Sequence, residues 1–382
     1  MDATDCSRPL LYKGVGCLRE QYAAIQPLGR RALIVCGKSG ARRSGALSDM
    51  TDALDKLSIS YVVFDSIGPN PTLAMCDAAR QAAPDAELVV GIGGGSALDA
   101  AKAVAVLCRN PGLPPDAIYD TSLAALPLVC VGTTAGTGSE VDYSSVITDG
   151  AGRKHSFTNP AVMPAISYAD PAYTCTMDLR QTVSTALDAF CHCCEAIFSG
   201  KATPLSDRYA EEGLELLLPQ LARLAEESFD PNDLTLREPL LYGSVLAGRA
   251  ICVAGTCYPH PAGYCLTEKI GLPHGAACGV FELDFLCRTG PARPDHYRRL
   301  CAAAGGEERL YRVLARLTDN NITVSTAYAE TMAQRIAGSG NFKRSLCPQT
   351  IDTVRAIIAP MIDGGQTADI AGRWAFDAEG TK

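Results

Sequence analysis

The run Glu87-Leu88-Val89-Val90-Gly91-Ile92 leads without a break into Gly93-Gly94-Gly95-Ser96-Ala97-Leu98-Asp99-Ala100-Ala101-Lys102. A short apolar run, three glycines and a stretch of helix formers predict a strand, a tight turn and a helix. Glycine lets the main chain come close to a phosphate, and the free N–H groups at a helix N-terminus attract one. Gly93, Gly94, Gly95 and Ser96 are therefore candidate ligand contacts. Ser96 and Asp99 have capping-box spacing, with Asp99 in the first turn, where the helix dipole favours a carboxylate. The segment does not spell GxGxxG, and the same residues would also make a plain strand–helix turn.

Three more continuous apolar runs surround this one: Arg31–Cys36, Tyr61–Phe64 and Leu126–Val131. Continuous runs suit strands buried on both faces. Helix-like stretches at 45–57 and 72–82 separate them, so the first half predicts a parallel sheet covered on both sides. A second loop, Gly132-Thr133-Thr134-Ala135-Gly136-Thr137-Gly138-Ser139-Glu140, follows the last of these runs. Thr133, Thr134 and Thr137 suit a ribose and the nicotinamide end of a dinucleotide. Two such loops at the C-terminal ends of neighbouring parallel strands predict a ligand crevice.

After about Tyr173 the periodicity becomes helical, as with Leu214, Leu217, Leu218 and Leu221. The expected organisation is a Rossmann-like α/β dinucleotide-binding domain over 1–176 and an all-α metal-binding and substrate domain over 177–382. With 34 Lys plus Arg against 42 Asp plus Glu, the formal net charge is −8. That balance argues against a nucleic-acid partner. No apolar run approaches the roughly 18–20 residues that span a bilayer, so no membrane partner is expected. Seventeen cysteines are an odd number, and the start Met1-Asp2-Ala3-Thr4-Asp5 is acidic where a signal peptide is basic. The expectation is a reducing cytoplasm, with most cysteines as small buried apolar residues.

The chain has five histidines. Asp188 and His192 are four apart, so on a helix they share a face. His260 and His274 lie in the same helical half, His274 within Pro273-His274-Gly275. One carboxylate and three imidazoles suit Fe(II) or Zn(II).

Taken with the Gly-Gly-Gly-Ser loop, Asp99 and Lys102, and the Thr-Thr-Ala-Gly-Thr loop at 133–137, these motifs resemble the iron-containing (group III) alcohol dehydrogenase family over nearly the whole chain. The resemblance implies a divalent metal, Fe(II) before Zn(II), held by Asp188, His192, His260 and His274. It implies an active site in the cleft between a dinucleotide domain and a helical domain, and a homodimer or larger assembly. It also implies reversible hydride transfer between a nicotinamide and an alcohol or aldehyde carbon, with the metal polarising the carbonyl oxygen. Lys154 matches a family lysine near the nicotinamide.

Three positions depart from the family pattern. Gly37 falls where many NAD-dependent members have an Asp for the ribose hydroxyls. Without that charge, Ser39, Arg42 and Arg43 would accept a 2′-phosphate, as in NADPH-dependent aldehyde reductases of the family, so NADP(H) is expected over NAD(H). Tyr264 replaces a proton-relaying His four residues after His260. Arg249 stands where the family places an apolar residue near the pocket. A guanidinium there needs an anion, either a structural Glu or the carboxylate or phosphonate of a small anionic aldehyde such as phosphonoacetaldehyde. Ser144 is a further substrate-side candidate. Cys191, Cys193 and Cys194 read as filler rather than a thiolate zinc site, although Cys191 is three residues from Asp188. The alternatives are a reductase of a neutral short-chain aldehyde and a dehydroquinate-synthase-like lyase with internal redox, whose usual ligands are one Glu and two His.

Overall fold

The computed structural model describes residues 9–226, 228–318 and 322–362. The part of the chain up to Ala169 is built on a six-stranded parallel sheet in the order β1-β8-β5-β4-β2-β3. The strands are β1 (Leu10–Lys13), β2 (Arg31–Gly37), β3 (Ser60–Ile67), β4 (Leu88–Gly93), β5 (Leu128–Gly132) and β8 (Ile166–Ala169). A separate antiparallel hairpin joins β6 (Ser144–Thr148) to β7 (Lys154–Thr158).

The four apolar runs supply β2 to β5. Strands β4 and β5 are buried throughout, as continuous apolar runs predict. Strand β3 departs from that expectation: it lies at the sheet edge, and Val62 is 41% exposed. Side chains on one sheet face, such as Ile34, Val90 and Val131, form one apolar cluster. Leu33, Val89 and Cys130 on the other face form a second, which includes the apolar side of the Gly95–Arg109 helix. Gly93 of β4 is in register with Gly132 of β5, so the two glycine-bearing loops begin side by side.

The rest is largely helical, including Leu179–Ile197, Pro204–Glu226, Leu234–Ala254, Pro259–Ile270 and His274–Thr289. Leu214, Leu217, Leu218 and Leu221 are buried along one face of Pro204–Glu226. The chain forms two compact units, and they are not contiguous in sequence. The first runs to Thr182 and takes in Asp230–Cys252; the second comprises Val183–Phe229 and resumes at Val253. A boundary placed at 176/177 leaves 230–252 with the second part of the chain, whereas its contacts lie with the first. Two features hold it there. The Arg237 side chain is fully buried and donates to the Pro231 carbonyl at 2.9 Å, Thr182 Oγ1 at 2.8 Å and the Met177 carbonyl at 2.8 Å. Gly138, at φ +60°, meets Gly248 so closely that a Cβ on it would lie 2.5 Å from the Gly248 Cα.

No single helix among the described residues is long and apolar enough to cross a membrane. Every described cysteine is a free thiol.

Candidate functional site

Three helices of the second unit build a carboxylate–imidazole centre. Asp188 and His192 lie one turn apart on Leu179–Ile197, His260 is in the first turn of Pro259–Ile270, and His274 opens His274–Thr289. The glycine after His274 is what allows the approach. A Cβ on Gly275 would lie 1.9 Å from the Ser184 carbonyl oxygen and 2.7 Å from the Asp188 Cβ. The Pro-His-Gly sequence thus lets one helix N-terminus rest on the main chain of another, beside Asp188.

Asp188 Oδ1 is the hub. It lies 3.9 Å from His192 Nε2 and 3.7 Å from each of His260 Nε2 and His274 Nε2. Donors about 2.1 Å from a shared ion sit roughly 3.4 Å apart at a tetrahedral angle, so these spacings fit one. His192 and His260 face each other Nε2 to Nε2 at 2.8 Å. Asp188, His192 and His260 are buried, and His274 is partly exposed. Burial pushes His260 down to about 4 against the pull of Asp188, so its ring is neutral, as a ligand must be. Asp188, His260 and His274 therefore fit a borderline divalent cation, and His192 adjoins them beside Asp188 and His260.

Sequence reasoning missed the groups behind and beside this set. Glu195 Oε1 lies 2.6 Å from His260 Nδ1, and Glu195 Oε2 accepts from the Cys257 N–H at 2.5 Å. A carboxylate there fixes Nδ1 as the protonated nitrogen and turns the Nε2 lone pair toward Asp188. Its signal was Asp-x-x-x-His-x-x-Glu on one helical face. Cys278 Sγ is 3.8 Å from both ring nitrogens of His274 and groups with Asp188, His260 and His274. Gly263 gives it room, since a Cβ there would meet Cys278 Sγ at 2.7 Å. Cys191 is fully buried, as filler would be, and it stands with Glu195 and Glu282 in a second buried group of potential ligand atoms. Burial lifts both glutamates well above the usual carboxylate range. Of the pair, Glu195 has N–H groups at both oxygens and is the member placed to carry charge.

Tyr264 stacks on the His274 ring, with centroids 5.0 Å apart and planes at 17°. It therefore packs flat against one imidazole of the cluster. The remaining histidines lie elsewhere. His155 Nε2 is 3.0 Å from Asp149, and His296 Nδ1 is 2.8 Å from Glu211.

The first unit carries the two loops. Thr133 N–H donates to the Gly93 carbonyl at 2.9 Å. A Cβ on Gly94 would lie 2.7 Å from Thr134 Oγ1, and one on Gly95 would lie 2.7 Å from Thr137 Cγ2. The glycines are thus required by the threonine loop itself.

The capping box is not formed. Gly94 is the N-cap residue and no side chain caps the helix; Ser96 lies within its first turn. Asp99 turns away from the helix end instead. It accepts from Ser139 Oγ at 2.7 Å and from the Val146 N–H at 3.0 Å. Lys102 is fully buried, and its Nζ donates to Ser139 Oγ at 2.8 Å, to the Ser144 carbonyl at 2.7 Å and to Asp142. Burial works against that ammonium, but Asp142 and Asp99 outweigh it and its pKa rises. Burial pushes Asp99 up to about 6 and Glu140 up to about 7.

The other sequence candidates fall in the same unit. Ser144 begins β6, where its carbonyl serves Lys102; Lys154 begins β7 and is partly buried. Gly37 ends β2, with Ser39, Arg42 and Arg43 exposed just beyond it. Arg42 pairs with Asp65 of β3 at 2.8 Å, so one of the two loop arginines already has a carboxylate partner. Arg249 is partly buried and follows Gly248, whose contact with Gly138 seats it beside the threonine loop.

Residues 9–171 match the family described as iron-containing alcohol dehydrogenase, and residues 182–337 match the C-terminal region of the Fe-containing alcohol dehydrogenase family. The chain belongs to the iron-containing alcohol dehydrogenase family. It is accordingly an oxidoreductase of a metal-dependent, nicotinamide-linked family. The phosphonoacetaldehyde reductase of Streptomyces viridochromogenes is 36% identical over 80% of this chain and 78% of its own. The structure of an iron-containing alcohol dehydrogenase from Thermotoga maritima superposes with TM-score 0.85 at 31% identity, covering 92% of this chain and 98% of that one. A sulfoacetaldehyde reductase from Bifidobacterium kashiwanohense, solved with NAD+, gives TM-score 0.82 at 25% identity over 92% and 96%.

Proposed function

We propose that the protein is an NADPH-preferring aldehyde reductase whose substrate is a small aldehyde with an anionic end, a carboxylate, sulfonate or phosphonate. The observation that carries this reading is the Gly138–Gly248 contact, which packs the turn of helix containing Arg249 against the loop expected to hold the nicotinamide. Two relatives named as reductases of anionic two-carbon aldehydes support it.

A divalent cation, Fe(II) or Zn(II), supplies Lewis-acid polarisation of a carbonyl oxygen. Asp188, His192, His260 and His274 would hold it. Glu195 orients His260, and Tyr264 limits access along the His274 ring. In the first unit, Gly93 to Ser96 would face the pyrophosphate, and Thr133, Thr134, Thr137 and Lys154 the nicotinamide half. Ser144 is proposed near the substrate. The 2′-phosphate falls to Ser39 and Arg43 before Arg42, because Asp65 already engages Arg42. The reading includes a cytoplasmic location and a homodimer or larger assembly.

The test is NADPH oxidation by anaerobically Fe(II)-loaded protein with sulfoacetaldehyde or phosphonoacetaldehyde against propionaldehyde. Arg249→Leu removes a charged hydrogen bond worth about 1.5–3 kcal/mol, so kcat/KM for the anionic aldehyde is expected to fall roughly 10–100-fold. The value for propionaldehyde should barely move. An unchanged anionic kcat/KM sinks the Arg249 assignment. No net NADPH oxidation with any aldehyde would favour the internal-redox lyase.

A further inference from the structure

We propose that Cys191, Glu195 and Glu282 form a second, fully buried divalent-metal site of Zn(II) type, distinct from the Asp188 centre and joined to it through Glu195. Their ligand atoms lie within 4.8 Å of one another, and all three residues are buried. Cys191 and Glu195 stand one turn apart on Leu179–Ile197, and Glu282 comes from His274–Thr289, so two helices present the donors. Cross-helix sets of this kind build metal sites in helical domains.

The observation that points to a ligand is Glu282. It is fully buried, and neither carboxylate oxygen has an N–H or O–H donor. The groups flanking it are the Cys191 and Cys194 thiols, which are weak donors. Buried carboxyl groups are ordinarily hydrogen-bonded, paired or bound to a metal. Thiolate with carboxylate is a donor set that takes Zn(II) and disfavours Mg(II) or Ca(II). A tetrahedral Zn(II) ion holds such donors roughly 3.3–3.8 Å apart, so modest side-chain adjustment closes the span.

Binding one ion displaces the Cys191 thiol proton and the Glu282 carboxyl proton to solvent, which balances two of its charges. Glu195 keeps its hydrogen bond to His260 Nδ1 and offers a remaining lone pair to the ion. The site is closed, so its expected role is structural.

The experiment counts metal. Protein stripped with a chelator is titrated anaerobically with Zn(II) and separately with Co(II), then desalted and analysed for metal per chain. Sulfur-to-Co(II) charge transfer is read in the near ultraviolet. The wild-type chain should hold two ions. Glu282→Gln and Cys191→Ala should hold one, and the charge-transfer band should vanish in Cys191→Ala but persist in Cys278→Ala. Asp188→Asn, which disturbs only the first centre, should keep the band, so failure of the Asp188 centre is told apart from failure of this one. One ion or none on the wild-type chain overturns the proposal, as does a count of two in Glu282→Gln or Cys191→Ala. A band that follows Cys278 also overturns it.

Discussion

In the first unit, Asp99, Asp142 and Ser139 gather round the Lys102 ammonium; in the second, Asp188, Glu195 and Glu282 gather among imidazoles and thiols. Both clusters bury carboxylates. They differ in where the balancing positive charge originates. Lys102 is built into its helix and arrives with the fold. The His260 ring, kept neutral by burial, and the buried thiols bring no charge, and suit a cation taken up from solution. The first cluster is thus a structural brace for the loops and the β6–β7 hairpin, and the second, on the readings proposed above, a receptacle.

The strongest way to break this contrast is to remove the built-in cation. Lys102→Met leaves buried carboxylates uncompensated, and loss of one partner of a buried pair costs about 3–5 kcal/mol. Denaturant unfolding should show that loss whatever metal is present. A loss below about 1 kcal/mol would mean that the brace carries little.

A pH series tests the same cluster. Asp99 at about 6 and Glu140 at about 7 sit above their ordinary values of 3.8 and 4.5. The folded state therefore binds more protons than the unfolded state across this window, and stability falls as pH rises from about 4.5 to 7. Glu140 alone accounts for roughly 3 kcal/mol of that fall. Glu140→Gln should flatten the profile by about that amount. A parallel profile would place the titration elsewhere.

On the second unit the effects should depend on metal. Glu195→Gln keeps the shape but loses the charged partner of His260, so metal affinity at the Asp188 centre should weaken about 10–100-fold in chelator competition. Metal-free stability should change far less than with Lys102→Met. Equal losses with and without metal would erase the distinction between the two clusters. The smallest expected effect lies at the cofactor loop. Arg43→Ala should raise the NADPH KM by roughly fivefold, the scale of one exposed phosphate contact, with the NADH KM unchanged.

Local pattern revealed part of this in advance. The runs that became β2 to β5 were long and apolar enough to stand out, and Asp188 with His192 declared itself by i, i+4 spacing. Strands β1 and β8 have four residues each and acquire meaning only as neighbours across some 155 positions. Ser96 and Asp99 have the spacing of a cap, yet Asp99 is drawn to Ser139 and Val146, partners that local spacing does not name. Glu195 was visible as periodicity but had no partner until His260 came within 2.6 Å. Cys278 and Glu282 lay on a helix whose polar positions read as nothing in particular. The allegiance of 230–252 to the first unit rests on Arg237, whose partners Thr182 and Met177 lie 55 and 60 positions away, and on Gly138 and Gly248, two residues without side chains.

That split unit has a consequence for synthesis on the ribosome. The sheet is complete at Ala169, but the helix that presses on Gly138 ends at Ala254, and Val183–Phe229 of the other unit emerges between them. The nascent chain cannot finish one unit before beginning the next, as successive domains usually do. Until Arg237 and Gly248 clear the exit tunnel, the Met177 and Thr182 acceptors and the backbone face at Gly138 wait unfilled. A fragment ending at Thr182 is accordingly an interrupted unit, and cutting the gene there would yield a sheet that lacks its last helix.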